Sequence, residues 1–135
     1  MVIYSDGASR GNPGPAAIAV RILDDTGAVI ERRSKFIGRK TNNEAEYEAL
    51  ILALRMAKLL DQKAILCYLD SELVVKQLNG EYRVRSPKLE TLWLKVRSLA
   101  KGFQKVSFTH VLRSNRHIAE VDKMANHLLD DVLSR

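Results

Sequence analysis

The amino-acid sequence predicts an α/β fold in which a mixed five-stranded sheet is flanked by helices. Five segments are rich in β-branched residues, and four others show helical periodicity. Three strands precede the first helix, so we expect them to form an antiparallel meander. The last two strands each follow a helix and are expected to run parallel. The predicted chain order is three strands, a helix, a strand, two helices, a strand and a helix.

The composition favours one domain with a polyanionic partner. The chain has 135 residues and a single cysteine, and 22 Lys and Arg against 16 Asp and Glu give a net charge of +6. We expect residues 1–135 to form a single domain whose core needs no disulfide. No window approaches the ~18 apolar residues of a membrane span, and no secretory signal is recognisable after Met1. We therefore expect a cytoplasmic protein without membrane attachment, and the basic balance favours a polyanion as partner.

The first three strands follow from alternation and turn residues. Asp6 and Tyr4 lie on one face of the first strand, because side chains alternate with a period of two. The Gly- and Pro-rich segment 11–15 predicts a tight turn, and Asp24 to Gly27 predicts a hairpin turn. The three strands are predicted over 2–9, 16–24 and 28–37.

The remaining elements are marked by capping residues and apolar runs. Segment 64–69 is continuously apolar, which predicts a strand covered on both faces. Residues 41–43 supply N-cap chemistry for the first helix, Ser71 begins the second, and Ser86 precedes a proline at the first position of the third. The helices are predicted over 43–60, 71–79, 87–101 and 117–134, and the last two strands over 63–70 and 104–112.

Two acidic residues lie where a carboxylate is unexpected. Asp6 falls within the first strand, although a turn Asp before Gly7 is an equally good interpretation. Glu46 shares a helix face with Ala49 and Leu50, so it points along the apolar stripe toward the sheet. Burying a carboxylate is costly unless it is paired or binds a metal ion.

Two further carboxylates are candidates, one at the end of the fourth strand and one in the last helix. Asp70 ends the fourth strand, and carboxyl ends of such strands are where open sheets bind ligands. Its alternative role is the N-cap of the next helix, which Ser71 could also fill. In the last helix Asp122 shares a face with Ile118, whereas Glu120 lies on a more polar side. Asp122 is thus the better candidate for an inward-pointing acid, with a first-turn dipole role as its alternative.

Four inward carboxylates from separate elements would repel one another strongly without a cation. Oxygen ligands suit Mg²⁺ or Mn²⁺, and the chain offers no Cys and His set for zinc. A pair of such ions about 4 Å apart suits in-line phosphoryl displacement. The pattern therefore indicates metal-dependent phosphoryl displacement.

With these residues in view, the chain resembles the type 1 ribonuclease H family over essentially its whole length. Each matching segment is weak alone, but their order and spacing are specific. The segments are Tyr4-Ser5-Asp6-Gly7-Ala8-Ser9, Gly11-Asn12-Pro13-Gly14-Pro15, Thr41-Asn42-Asn43-Glu44-Ala45-Glu46, Leu69-Asp70-Ser71, and His110, Asn115 and Asp122-Lys123-Met124-Ala125-Asn126.

The resemblance implies a ribonuclease H-like fold and an endonuclease that cleaves the RNA strand of RNA–DNA hybrids to leave 5′-phosphate and 3′-hydroxyl ends. It also implies that Asp6, Glu46, Asp70 and Asp122 are the catalytic acids and hold two Mg²⁺ ions, with Mn²⁺ as a substitute. The implied partner is an RNA–DNA hybrid, with RNA–RNA duplexes as a further candidate substrate. A monomer without an obligate protein partner is expected.

Selectivity for hybrids requires contact with the 2′-hydroxyls of the RNA strand. In the family the glycine-rich turn and the Thr-Asn-Asn segment make these contacts. The matching candidates are Gly11, Asn12, Asn42 and Asn43. Contacts to the DNA phosphates would come from Thr41 and Arg10. Turn formation and helix capping are the alternative roles of these residues.

Three departures from the family pattern affect these expectations. The compact segment 80–87 replaces a basic insertion that some members carry, so we expect a handle-less member with weaker, salt-sensitive binding. Ser71 is followed by Glu72 where many members have a Gln that contacts the minor groove, and both are substrate-binding candidates. A Glu at this position would either repel phosphate or accept a hydrogen bond from a base or a 2′-hydroxyl. The mobile His that aids product release in many members corresponds to His117 or to Arg113. His117 is therefore a catalytic candidate, with an ordinary surface or N-terminal helix residue as its alternative.

Two other functions compete with this hypothesis. A non-catalytic module that binds hybrids or double-stranded RNA could share the fold, but it would gain affinity by losing acids beside a polyanion. A resolvase or integrase core also uses such acids, but these proteins depart from the pattern at residues 41–43 and usually carry further domains.

Overall fold

The computed structural model describes all residues from 1 to 135, and its nine elements follow the predicted order. No helix combines the length and apolarity needed to cross a membrane. The elements are β1 (Val2–Ser9), β2 (Gly14–Leu23), β3 (Val29–Lys40), α1 (Asn42–Leu59), β4 (Ala64–Leu69), α2 (Glu72–Leu78), α3 (Pro87–Ala100), β5 (Lys105–His110) and α4 (Arg116–Leu133).

The five strands form one mixed sheet in the order β3-β2-β1-β4-β5. β1, β2 and β3 pair antiparallel, with Asp6 opposite Ala19. β4 pairs parallel with β1 on one side and with β5 on the other. This topology confirms the predicted meander followed by two parallel strands.

Helix α1 covers one face of the sheet and carries most of the core. Leu50 and Leu54 are fully buried, together with Ile3 of β1 and Val20 of β2. Burial of such side chains contributes about 1.5–3 kcal/mol each. Trp93 of α3 packs against this core, and its indole nitrogen donates to the Gln77 carbonyl at 3.1 Å.

Helix α4 covers the other face through small residues. Ala17 and Ala19 of β2 are fully buried against Ile118 and Val121. Because alanine side chains are short, the helix backbone lies close to the sheet at this point. This contact fixes the position of the α4 residues that face the end of β1.

The prediction that β4 is covered on both faces is wrong. Leu66 is 42% exposed and Ala64 is also exposed, whereas Ile65 and Cys67 are buried under α1 and its neighbours. The reason is that α4 packs over β1, β2 and β3. A continuous apolar run therefore does not by itself report two-sided burial.

The hairpin strands extend further than predicted. The β2–β3 ladder runs to the Gly14–Lys40 pair, so β2 begins two residues early and β3 ends three residues late. Backbone pairing continues there through Arg39 and Lys40 because an edge strand can hold charged side chains in solvent.

Candidate active site

Three carboxylates from different elements converge at one end of the sheet. Asp6 comes from β1, Glu46 from the first turns of α1, and Asp70 from the residue after β4. One ligand oxygen of each lies within 4.8 Å of the others. Asp6 pairs with Ala19 inside the ladder, so the alternative of a turn Asp is wrong.

A close approach of α1 to β1 at Gly7 sets the position of Glu46. A Cβ at Gly7 would lie 2.3 Å from the carbonyl carbon of Ala45, a distance that no side chain tolerates. The Gly7 N–H donates to Glu46 Oε1 at 2.6 Å. Glycine thus lets the helix touch the strand and aims the Glu46 carboxylate toward Asp6.

Asp122 joins these acids from α4. It lines the same cavity of about 290 Å³ as Asp6, Glu46 and Asp70. Its carboxylate lies outside the tight group of three, and it is half-buried. Glu120 is exposed, so Asp122 is the acid of α4 that faces the cavity, as the sequence predicts.

Burial makes two of these acids difficult to ionise without a cation. It raises the pKa of Asp6, and repulsion by Glu46 raises that pKa further. Burial likewise raises the pKa of Glu46 to about 7, although hydrogen bonds donated to its carboxylate by protonated Asp6 and by the Gly7 N–H oppose the shift. Asp6 Oδ2 and Glu46 Oε2 are buried without a hydrogen-bond partner.

These donors fit a hard divalent cation. Orphaned buried carboxylate oxygens are rare because each carries a desolvation cost. A cation of the Mg²⁺ or Ca²⁺ class binds carboxylate oxygens and would satisfy both atoms. The chemistry of the donor set therefore matches an all-oxygen metal site.

Arg113 is the one cationic residue among those lining the cavity. Its Nε lies 3.4 Å from Asp70 Oδ2, and its side chain is 82% exposed. An ion pair this open to solvent contributes little to stability. The long side chain is consequently free to leave Asp70 at little cost.

The predicted asparagines form the rim of the cavity. Asn42 and Asn43 line it together with Ser71, which caps α2 by accepting from Val74 N. Asn42 Oδ1 accepts from the Ser9 N–H at 3.1 Å. Asn12 Oδ1 accepts from the Asn42 N–H at 3.0 Å and joins the glycine-rich turn to the start of α1.

A second hollow of about 470 Å³ lies beside the acidic cavity. Asn12, Asn43 and Thr41 line it, and Thr41 also caps α1 in a capping box with Glu44. Its basic residues are Arg39, Lys40 and Lys88. Arg39 and Lys40 were not among the binding residues predicted from the sequence, although two basic residues directly before a capped helix could have indicated an anion-binding site.

Four predicted site residues lie outside both hollows. Glu72 pairs with Lys76 at 2.9 Å on the exposed side of α2. The His117 ring packs against the Tyr4 ring in a tilted arrangement, with 4.6 Å between the ring centroids. Its Nδ1 also lies 3.3 Å from Arg21 Nη1.

The third is Arg10, which turns toward α4. Its guanidinium binds Asp130 at 2.8 Å. The fourth, Gly11, lies in the adjacent turn with a positive φ of 110°, a conformation that glycine adopts readily.

Comparison with known proteins agrees with this geometry. The family model described as reverse transcriptase-like matches residues 4–127. The chain is 44% identical to ribonuclease HI of Halobacterium salinarum over 95% of its own length, and it spans 63% of that curated relative.

Two solved structures are similar over nearly their whole length. The crystal structure of RNase H1 from H. salinarum has a TM-score of 0.92 and 42% identity, covering 96% of this chain and 97% of that one. LC11-RNase H1 in complex with an RNA/DNA hybrid has a TM-score of 0.91 and 36% identity, covering 98% of both chains. The chain therefore belongs to the reverse transcriptase-like family and, with it, to the type 1 ribonucleases H.

Proposed function

We propose that this chain is an endoribonuclease that hydrolyses the RNA strand of RNA–DNA hybrids and leaves 5′-phosphate and 3′-hydroxyl ends. The observation that carries the proposal is the convergence of Asp6, Glu46 and Asp70, with two buried oxygens left without partners. The similarity to ribonuclease HI supports it.

The proposed cofactor is a pair of Mg²⁺ ions, with Mn²⁺ as a substitute. Asp6, Glu46, Asp70 and Asp122 would hold them, because these four carboxylates line one cavity. Bound divalent cations supply activation of a water molecule and stabilisation of the charge on the leaving 3′ oxygen. No protein nucleophile is then required.

The chain's own residues prepare this site before any cation binds. The Gly7 N–H holds one oxygen of Glu46, and the second oxygen is left without a hydrogen-bond partner. Asp6 is fixed within the sheet ladder, which leaves it little freedom to move. Such preorganised groups need no rearrangement during the reaction.

The two hollows suggest how the strands of a hybrid are told apart. We assign the RNA strand to the acidic cavity, where Asn42 and Asn43 would meet the 2′-hydroxyls. Asn12, in the turn that contains Gly11, accepts from the Asn42 N–H and would hold Asn42 in place at the border with the second hollow. Ser71 borders the same path. The DNA strand is assigned to the second hollow.

Charge supports the assignment of the DNA strand. Lys88, Arg39 and Lys40 face the hollow that Thr41 lines at the start of α1, and a helix N-terminus favours anions. A DNA phosphate is the expected occupant. Glu72 stays a weaker candidate, because its carboxylate is paired with Lys76 on exposed α2.

We assign product release to Arg113 rather than to His117. Arg113 lines the cavity and pairs loosely with Asp70, whereas His117 packs on Tyr4. A cationic side chain that leaves the acid cluster can accompany a departing phosphate.

We further propose that residues 1–135 act as one catalytic domain, as a monomer in the cytoplasm. The single-domain proposal is supported by the packing of helices against both faces of one sheet. The size of the protein in solution, measured by light scattering, tests the monomer.

The deciding experiment is cleavage of labelled RNA–DNA, RNA–RNA and DNA–DNA duplexes with and without Mg²⁺. We expect hybrid cleavage that needs the metal and is lost in Asp70→Asn, while the exposed variant Asp131→Asn cleaves normally. Tight hybrid binding in chelator without cleavage after Mg²⁺ or Mn²⁺ addition would indicate a binding module instead. Cleavage confined to DNA would indicate a resolvase- or integrase-like activity.

A further inference from the structure

A chain of hydrogen bonds connects the β1–β2 turn to the carboxylate of Asp122. Arg10 Nη2 donates to Asn126 Oδ1 at 3.2 Å and to the Asn126 carbonyl at 3.3 Å. Asn126 Nδ2 donates to Asp122 Oδ1 at 3.2 Å and to the Asp122 carbonyl at 2.9 Å. Asp130 Oδ1 accepts a hydrogen bond from the same Arg10 nitrogen at 2.8 Å.

The chemistry of the end groups fixes the orientation of the Asn126 amide. A guanidinium only donates hydrogen bonds, and an ionised carboxylate only accepts them. The amide oxygen must therefore face Arg10 and the amide nitrogen must face Asp122. A flipped amide would set donor against donor at one end and acceptor against acceptor at the other.

Asp122 needs such a partner more than the other acids do. Asp6 lies in the sheet ladder, and Glu46 is held by the Gly7 N–H. Asp122 is half-buried at the surface of α4, where a free carboxylate samples several rotamers. The Asn126 amide, one helical turn away, engages one oxygen and leaves the other available to the cavity.

We propose that Asn126 is a positioning residue that orients the Asp122 carboxylate for metal binding, and that Arg10 holds Asn126 in place. This inference rests on the proposed function of the acid cluster. Partners that hydrogen-bond metal ligands typically change metal affinity or activity by about 10–100-fold when they are removed. The role assigned to Arg10 differs from the DNA-phosphate contact expected from the sequence.

The first test is Asn126→Ala, compared with Asp131→Asn on the same helix. Alanine preserves the helix, and Asp131 pairs only with Arg135 on the exposed side. We expect Mg²⁺ titration of the protein alone by calorimetry to show about 10-fold weaker binding or more in Asn126→Ala. We expect kcat for the hybrid to fall with KM unchanged, and high Mg²⁺ to restore kcat.

Unchanged Mg²⁺ affinity in folded Asn126→Ala overturns the proposal, and so does a loss of activity that high Mg²⁺ does not restore. Circular dichroism establishes folding, and Asn126→Leu, which retains side-chain volume, replaces the alanine variant if that one is unfolded. Asp122→Asn separates the two levels of inference. If Asp122→Asn leaves Mg²⁺ binding and cleavage intact, the proposed metal site itself has failed.

Arg10→Met separates positioning from direct contact with DNA. Positioning predicts weaker Mg²⁺ binding, an unchanged KM, and no additional effect in the Arg10→Met, Asn126→Ala double variant. A direct phosphate contact predicts a raised KM with unchanged Mg²⁺ binding and additive effects. The second result would overturn the role proposed for Arg10.

Discussion

Glu46→Gln is expected to stabilise the metal-free protein at and above neutral pH. Burial raises the pKa of Glu46 from its usual 4.5 to about 7 in the fold. The unfolded chain therefore releases this proton near pH 4.5, whereas the folded protein retains it until about pH 7. Between these values the folded state binds more protons, so its stability falls as the pH rises.

The size of this effect follows from the shift. Each pKa unit is worth 1.36 kcal/mol, so ionised Glu46 costs the metal-free fold on the order of 3 kcal/mol above pH 7. Glutamine has nearly the same shape, and its amide oxygen can accept from the Gly7 N–H as Glu46 Oε1 does. For a domain of this size the gain corresponds to roughly 10 °C in melting temperature.

Urea unfolding at pH 5 and pH 8 in chelator measures this difference. Wild type and Glu46→Gln should differ little at pH 5 and most at pH 8, with Asp131→Asn following wild type. Added Mg²⁺ should narrow the gap, because binding to the native state stabilises wild type more. Equal stability of wild type and Glu46→Gln at pH 8 in chelator would refute the electrostatic reasoning.

Three further substitutions test packing and capping by urea unfolding. Gly7→Ala should cost about 3 kcal/mol or more, because its Cβ would overlap the Ala45 backbone; an unchanged midpoint contradicts the close approach. Tyr47→Phe should cost about 1–3 kcal/mol, since the buried Gln77 Oε1 loses its 2.6 Å donor; a neutral effect means that the bond adds nothing. Thr41→Ala should cost about 1 kcal/mol through loss of the α1 cap, whereas Thr41→Ser should restore most of it.

Local sequence signals located the elements well. Side-chain periodicity predicted all five strands and four helices in order, and capping residues such as Thr41 and Ser71 mark the helix starts in the structure. These signals depend on residues close together in the chain, so they can be recognised in a single sequence. The ends of β2 and β3 differ because backbone pairing across the hairpin extended them.

Two of the four acids were predictable because each breaks a local rule. Asp6 in a strand and Glu46 on an apolar helix face are costly residues unless something compensates them, and the family resemblance named the same set. Their convergence is a property of the fold. The 4.8 Å grouping depends on the parallel pairing of β1 with β4 and on the approach of α1 at Gly7.

The sequence by itself determined the order of elements and the family, and it pointed to the four acids that line one cavity, because periodicity, capping and motif spacing are local properties. Only the tertiary structure decided which long side chains reach the site. It brought Arg113 to Asp70, turned Arg10 toward Asn126, and left His117 on Tyr4. The direction of a flexible side chain depends on partners far away in the chain, and packing alone brings those partners together.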